Sequence, residues 1–203
     1  MEARVEGGSL PQAHGSPARG LRACAGRQAR FAAGGHQDPQ ARELMRVTII
    51  ADASHCTETK AAGYGFWAVS ERARHGGGGS FQHPVDTSSA AELLALVNGL
   101  FFGKMRGVLD AGDHVLLQTD CQRAIDVLSS NIKVGLTRDE RAGKKRFYEL
   151  TREYACTVSF RHVKGHTNKT EARYVTNNLC DKRAKEGMRL ARRRLRGDME
   201  AYK

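Results

Sequence analysis

The sequence predicts an α/β chain in which helices flank one mixed sheet. From residue 46 onward, strand-like and helix-like runs follow in the order strand, strand, strand, helix, strand, helices, strand, helix. Two apolar runs, Val47-Thr48-Ile49-Ile50-Ala51 and Val115-Leu116-Leu117-Gln118-Thr119, end directly in an acid, Asp52 and Asp120. At 203 residues the chain is long enough for one substantial domain with appendages.

Strand one is expected over about 46–52. A loop, Thr57 to Gly63, leads to strand two, the aromatic and β-branched run Tyr64-Gly65-Phe66-Trp67-Ala68-Val69. The tract His75-Gly76-Gly77-Gly78-Gly79 reads as a hairpin turn before a short third strand near 80–83. It lacks the Lys-Ser/Thr ending and the following helix of a phosphate-cradling loop. Thr87-Ser88-Ser89 offers capping hydroxyls to a helix over about 89–104. Strand four covers 114–119. A helix starts beside Asp120, with Ala124, Val127 and Leu128 on one face. A further helix covers roughly 138–154, strand five 157–163, and a long last helix begins near Asn177.

Residues 1–44 differ in kind. They contain no Lys, Ile, Tyr, Trp or Asn, are rich in Ala, Gly and Arg, and show neither period 2 nor period 3.6. Such a segment buries too little apolar surface to offset its ordering entropy. It reads as a disordered arm, or as sequence upstream of a true start at Met45. The five cysteines, 24, 56, 121, 156 and 180, are odd in number and form no C-x-x-C pair, so zinc and a disulfide framework are not expected. No apolar run reaches membrane-spanning length, and the start is too polar for a secretory signal. A soluble, cytoplasmic monomer is expected.

Four acids carry the chemistry: Asp52, Glu92 early in its helix, Asp120, and Asp181 in the run Asn177-Asn178-Leu179-Cys180-Asp181. A buried strand that finishes in an acid needs a partner or a cation for it. Hard divalent cations take oxygen ligands, Mg²⁺ typically a few carboxylates plus water and phosphate. The carboxyl ends of neighbouring parallel strands open on one crevice, so strands one and four would aim Asp52 and Asp120 together. The balance of 33 Lys+Arg against 22 Asp+Glu gives +11, and a basic surface around an acidic metal site suits a phosphodiester substrate. Asp126, Asp139 and Glu140 read as solvated or capping charges, and His162 as structural.

Taken in order, Asp52-Ala53-Ser54, Gly63-Tyr64-Gly65, Thr87 to Leu93, Thr119-Asp120-Cys121-Gln122, His162-Val163-Lys164-Gly165-His166 and Asn177 to Asp181 resemble type 1 ribonuclease H over about 46–190. The resemblance implies a ribonuclease H-like fold: a five-stranded mixed sheet of order 3-2-1-4-5 with strand two antiparallel. It divides the chain into a segment 1–44, a domain 45–190 and a basic extension 191–203. It further implies hydrolysis of the RNA strand of RNA–DNA hybrids with two Mg²⁺ ions, for which Mn²⁺ can substitute, leaving a 5′-phosphate. Asp52, Glu92 and Asp120 would hold one ion, and Asp52 would bridge to a second completed by Asp181. His166 would assist proton transfer or product departure. Thr87, Ser88, Ser89, Gln122, Lys164 and Asn177 would contact substrate.

The chain departs from that pattern in places. Ala53 replaces a Gly, and Ser88-Ser89 stands where the family pairs Asn before its Glu to read ribose hydroxyls, which puts RNA selectivity in doubt. The stretch from His166 to Asp181 is long, and the segment between Asp120 and His166 lacks a full basic protrusion. Lys144-Lys145-Arg146 is a reduced substitute, and Arg192-Arg193-Arg194 is either a solvated helix end or a phosphate-gripping extension. The compact form around Asp52-Ala53-Ser54-His55-Cys56 leans towards a bacterial or phage protein. A junction resolvase or transposase-type nuclease of the same superfamily, and a non-catalytic hybrid-binding module, are the alternatives.

Overall fold

The computed structural model describes residues 44–164 and 171–197. The expected segment 1–44 therefore lies outside the described residues apart from Leu44, as do His166 and the far end of the C-terminal extension. The elements are β1 Arg46–His55, β2 Ala62–Val69, β3 Arg74–Ser80, α1 Ser88–Met105, β4 His114–Thr119, α2 Gln122–Leu128, α3 Arg138–Glu153, β5 Thr157–His162 and α4 Ala172–Leu195. The strands form one sheet of order β3-β2-β1-β4-β5. β2 runs antiparallel to β1 and β3, while β4 runs parallel to β1 and β5. This is the expected five-stranded mixed sheet.

Strand alternation divides the core. Ile49, Ala51, Phe66 and Ala68 point to the α1 face, where Leu93, Leu96 and Leu100 are fully buried. α1 is buried on more than one side because α3 covers it in turn, with Phe147 and Leu150 packed into the same cluster. The neighbouring positions, Gly63 and Gly65, face α4 instead. A Cβ on Gly65 would lie 2.1 Å from the Cys180 carbonyl oxygen, and one on Gly63 would lie 2.1 Å from the Met188 amide. α4 thus rests directly on the β2 backbone.

Three boundaries differ from expectation. β1 does not stop at Asp52; it continues to His55 because β2 pairs with it through His55↔Ala62. The glycine tract is not a turn but the strand itself, Arg74–Ser80, paired along β2 from Gly63↔Ser80 to Val69↔Arg74. The cause is packing, since a Cβ on Gly78 would meet the Tyr64 carbonyl at 2.6 Å and the Arg183 side chain at 3.0 Å. α4 begins at Ala172, five residues before Asn177; its far end runs through 191–195 as a continuation of the last helix, with Ala191 buried.

Asp113 closes the bottom of the sheet. It accepts hydrogen bonds from Arg72 at 2.5 and 2.8 Å, from the Met45 amide at 3.1 Å and from the Asp110 amide at 2.8 Å. Among the described residues no helix is long and apolar enough to cross a membrane.

Candidate metal centre

Three elements bring three carboxylates to one point. Asp52 stands on β1 two residues past the last parallel pair, Ile50↔Gln118, where only β2 still holds the strand, through Asp52↔Gly65. Asp120 follows β4 directly, at the same end of the sheet. Glu92 comes from the second turn of α1, whose start is fixed by Thr87 in an extended conformation, its Oγ1 accepting from the Ala90 amide at 3.2 Å. One oxygen of each of Asp52, Glu92 and Asp120 lies within 4.8 Å of the others.

The site is electrostatically unfavourable on its own. Asp52 is 6% and Glu92 8% exposed. Burial first, then the charges of Asp120 and Asp181, push the Asp52 carboxyl up to about 7. Burial and the charges of Asp52 and Asp120 hold Glu92 well above the usual carboxylate range. Nearby protein donors do little to relieve this: Thr119 donates to Glu92 across 3.5 Å. His162 Nε2 donates to the Asp120 carbonyl at 2.8 Å and so holds the backbone at Asp120. A cluster of hard oxygen donors, desolvated and mutually repelling, fits a hard divalent cation, which would bind these acids in their charged form.

Asp181 stands apart from the trio. Its Oδ2 lies 2.7 Å from Lys185 Nζ, one turn along α4, although its charge still reaches Asp52. Asn177, one turn before it, is buried with no partner for Oδ1 among the described residues. Thr87 Oγ1 lies 3.2 Å from Ser89 Oγ, and Ser89 donates to Glu140 at 3.2 Å, so both hydroxyls serve the start of α1 while Ser88 faces solvent. Gln122 is exposed and donates to Asp126 at 2.9 Å. Lys164 is exposed just past β5.

Of the two readings, solvated or capping, Glu140 takes the capping one: it is 1% exposed, accepting from Arg123 at 2.6 and 2.9 Å and from the Thr137 amide at 2.9 Å. The Arg123 guanidinium beside it holds its carboxyl below the usual range. It thereby ties α1, α2 and α3 together beside the metal centre. The signal was in the sequence: Thr137-Arg138-Asp139-Glu140 is a capping box, which places a Glu against its own helix start.

The RNase H family model matches residues 45–189. This chain belongs to the RNase H family. Solved structures agree on the fold. The N-terminal RNase H domain of a Mycobacterium tuberculosis protein, solved as a fusion with maltose-binding protein, is 18% identical with a TM-score of 0.57, the match covering 73% of this chain and 97% of that one. RNase H1 of the halophilic archaeon Halobacterium salinarum is 23% identical with a TM-score of 0.56, covering 72% and 99%. The LC11 RNase H1 in complex with an RNA/DNA hybrid is 17% identical with a TM-score of 0.55, covering 71% and 98%. No curated protein matches the sequence of this RNase H.

Proposed function

We propose that this RNase H is a metal-dependent endoribonuclease that hydrolyses the RNA strand of RNA–DNA hybrids and leaves a 5′-phosphate. The observation that carries the reading is the convergence of Asp52, Glu92 and Asp120 within 4.8 Å at the end of a family fold. A related fold bound to an RNA/DNA hybrid supports the substrate class.

In this reading Asp52, Glu92 and Asp120 would hold one Mg²⁺ or Mn²⁺ ion, and Asp52 and Asp181 would serve a second. When bound, such a pair supplies an activated water and charge stabilisation for an in-line displacement at phosphorus. The protein's own part is to keep the acids dry and fixed, leaving a bound cation to favour their charged form. Burial between α1 and β1 excludes water from Glu92, and the hydrogen bond from His162 fixes the backbone at Asp120. Asp181 would share its carboxylate between Lys185, which holds Oδ2, and an ion. Asn177 offers a buried amide oxygen beside Asp181. Thr87, Ser88, Ser89, Gln122 and Lys164 supply neutral and cationic donors for phosphate and ribose, and His166 supplies a proton carrier.

A cleavage assay across an RNA–DNA hybrid, duplex DNA, duplex RNA and a four-way junction, with divalent metal titrated in, tests the proposal. Metal-dependent cleavage confined to the RNA of the hybrid is expected. Preference for the junction would make the chain a resolvase-type nuclease, and metal-independent binding without cleavage would make it a silent binding module.

A further inference from the structure

The three consecutive arginines near the end of α4 have separate fates. Arg194 turns to the β3 edge, where it donates to the Ser80 hydroxyl at 3.3 Å and to the Phe81 carbonyl. Arg192 and Arg193 turn the other way and, with Arg189 and Arg196, line a concavity of about 260 Å³. Helical geometry connects this concavity to the metal centre. At 100° per residue, Asp181, Lys185, Arg189, Arg192 and Arg196 all fall within a sector of about 80° on one flank of α4. The buried line of the same helix, Cys180, Ala184, Gly187 and Ala191, lies on a different sector, so this flank is not used for packing. The stripe therefore leads from the metal-site acid Asp181 outward; Arg192 is about 16 Å and Arg196 about 22 Å along the axis.

Lys185 pairs with Asp181, and the outer end of the stripe is weakly held: Arg196 lies 3.9 Å from Glu58, which is 78% exposed, a pair worth little in water. A cleft walled by guanidinium groups recognises phosphate, because each planar fork can donate to two of its oxygens. We propose that Lys185, Arg189, Arg192 and Arg196 form a second nucleic-acid contact, which grips the backbone of a duplex several base pairs away from the metal centre. The proposal rests on the metal centre being where the duplex is cut. With about 3.4 Å of rise per base pair, the outer members of the contact, Arg192 and Arg196, engage at roughly five to seven base pairs beyond that point.

Metal-free binding by the full chain tests this, read separately from cleavage. Affinity for hybrids of increasing length should step up once the duplex extends past about five base pairs on one side of the metal site. The variant Arg189→Gln/Arg192→Gln/Arg196→Gln should remove that step. It should also weaken binding to a long hybrid at least tenfold at low salt, and flatten the log–log salt slope by up to about 2.7. Arg194→Gln, which removes one charge from the other flank, should leave the slope unchanged. If the triple variant fails to fold, the length series on the unaltered protein and the single variant Arg189→Gln still decide. A smooth length dependence, or an equal slope change in Arg194→Gln, overturns the proposal. So does stabilisation by inorganic phosphate that the triple variant loses while duplex length has no effect, since the cleft would then take free phosphate. Metal-dependent cleavage of hybrid with none of these effects would sink the second contact and leave the proposed activity standing. A length step without cleavage would do the reverse.

Discussion

Lys185 Nζ lies 2.7 Å from Asp181 Oδ2, so the fourth acid of the constellation already has a cation. The two are one helical turn apart on α4, with an acid preceding a base, the favourable order for such a pair. This ammonium offsets part of the negative charge that Asp181 adds beside the other acids. The same ammonium competes with any metal for that carboxylate.

Lys185→Met should therefore tighten metal binding. The pair is half exposed, which limits its strength to about 1 kcal/mol, so the gain should be no more than about fivefold. The measurement is Mn²⁺ or Mg²⁺ titration followed by melting temperature without nucleic acid, which isolates the metal from any role of Lys185 in duplex binding. Unchanged or weaker metal affinity would mean that Asp181 lies outside the ion's reach.

Asp120→Asn separates charge from shape. The amide keeps the volume of the carboxylate while removing one of the three charges that raise Asp52 and Glu92. Turnover should fall at least a hundredfold, because a lost ligand removes several kcal/mol of transition-state stabilisation. The metal-free protein should melt higher than the unaltered one, and the rise in melting temperature on adding millimolar Mg²⁺ should shrink or vanish. Retained turnover in this variant would end the metal-ligand assignment.

Acid stability should depend on Asp113 more than on the metal centre. Its carboxyl sits below the usual range, first because of the Arg72 hydrogen bonds and also because it accepts the amides of Asp110 and Met45. An acid whose folded value is depressed stabilises the fold fully above its unfolded value. That stability disappears as pH falls through the lower folded value. The window is therefore below about pH 4. Asp113→Asn should cost about 2 kcal/mol or more at neutral pH and flatten the acid limb of the melting curve. An equally steep acid limb in the variant would place the loss elsewhere, with Glu140 the next carboxyl to replace.

Much of the candidate metal site was legible because two of its acids close apolar runs. An apolar run that stops in Asp is costly unless something claims the acid, and that logic located Asp52 and Asp120, with Glu92 supplied by the capped start of α1. The strand bounds were less legible. Nothing local to residues 53–55 signals that β1 continues; its antiparallel partner decides that from 62–64. The glycine tract misled for the same reason. Four consecutive glycines have no intrinsic preference for extended structure, so a turn is the natural local reading. Here the constraint is tertiary, imposed by the approach of α4 and of the Trp67 and Phe66 rings to the β3 backbone. Glu140 shows the opposite failure, since its capping box was local and readable but the Arg123 that buries it comes from another helix.

The backbone contact between β2 and α4 gives a direct test of that explanation. Gly65→Ala would drive a methyl to 2.1 Å from the Cys180 carbonyl, so α4 must shift or detach. Overpacking against backbone should cost about 3 kcal/mol or more, since no rotamer change relieves it. Gly79→Ala is the control: its Cβ would stand 3.1–3.4 Å from the Tyr64 ring, which can give way, so a loss of about 1 kcal/mol is expected. Denaturant melts compare the two. Equal tolerance of both would show that α4 is not seated on the strand through glycine.

Met45 is tied down on both sides of its peptide unit, although it precedes β1. Its amide donates to Asp113 Oδ1 at 3.1 Å, and its carbonyl accepts from the His114 amide at 3.0 Å. A chain shortened to begin at Met45 would place an α-ammonium where that amide is now. The ammonium can still donate to Asp113 and adds a favourable charge beside a carboxylate already partnered by Arg72. The shortened chain should therefore fold with a melting temperature within a few degrees of the full chain and cleave the same substrate at the same rate. Thermal melting and single-turnover cleavage of the two proteins side by side measure this. A large drop in stability would mean that residues before 45 complete the fold. A salt-dependent loss of hybrid affinity at unchanged stability would make the segment 1–44 a basic nucleic-acid-binding arm, its Arg residues acting through the phosphate backbone.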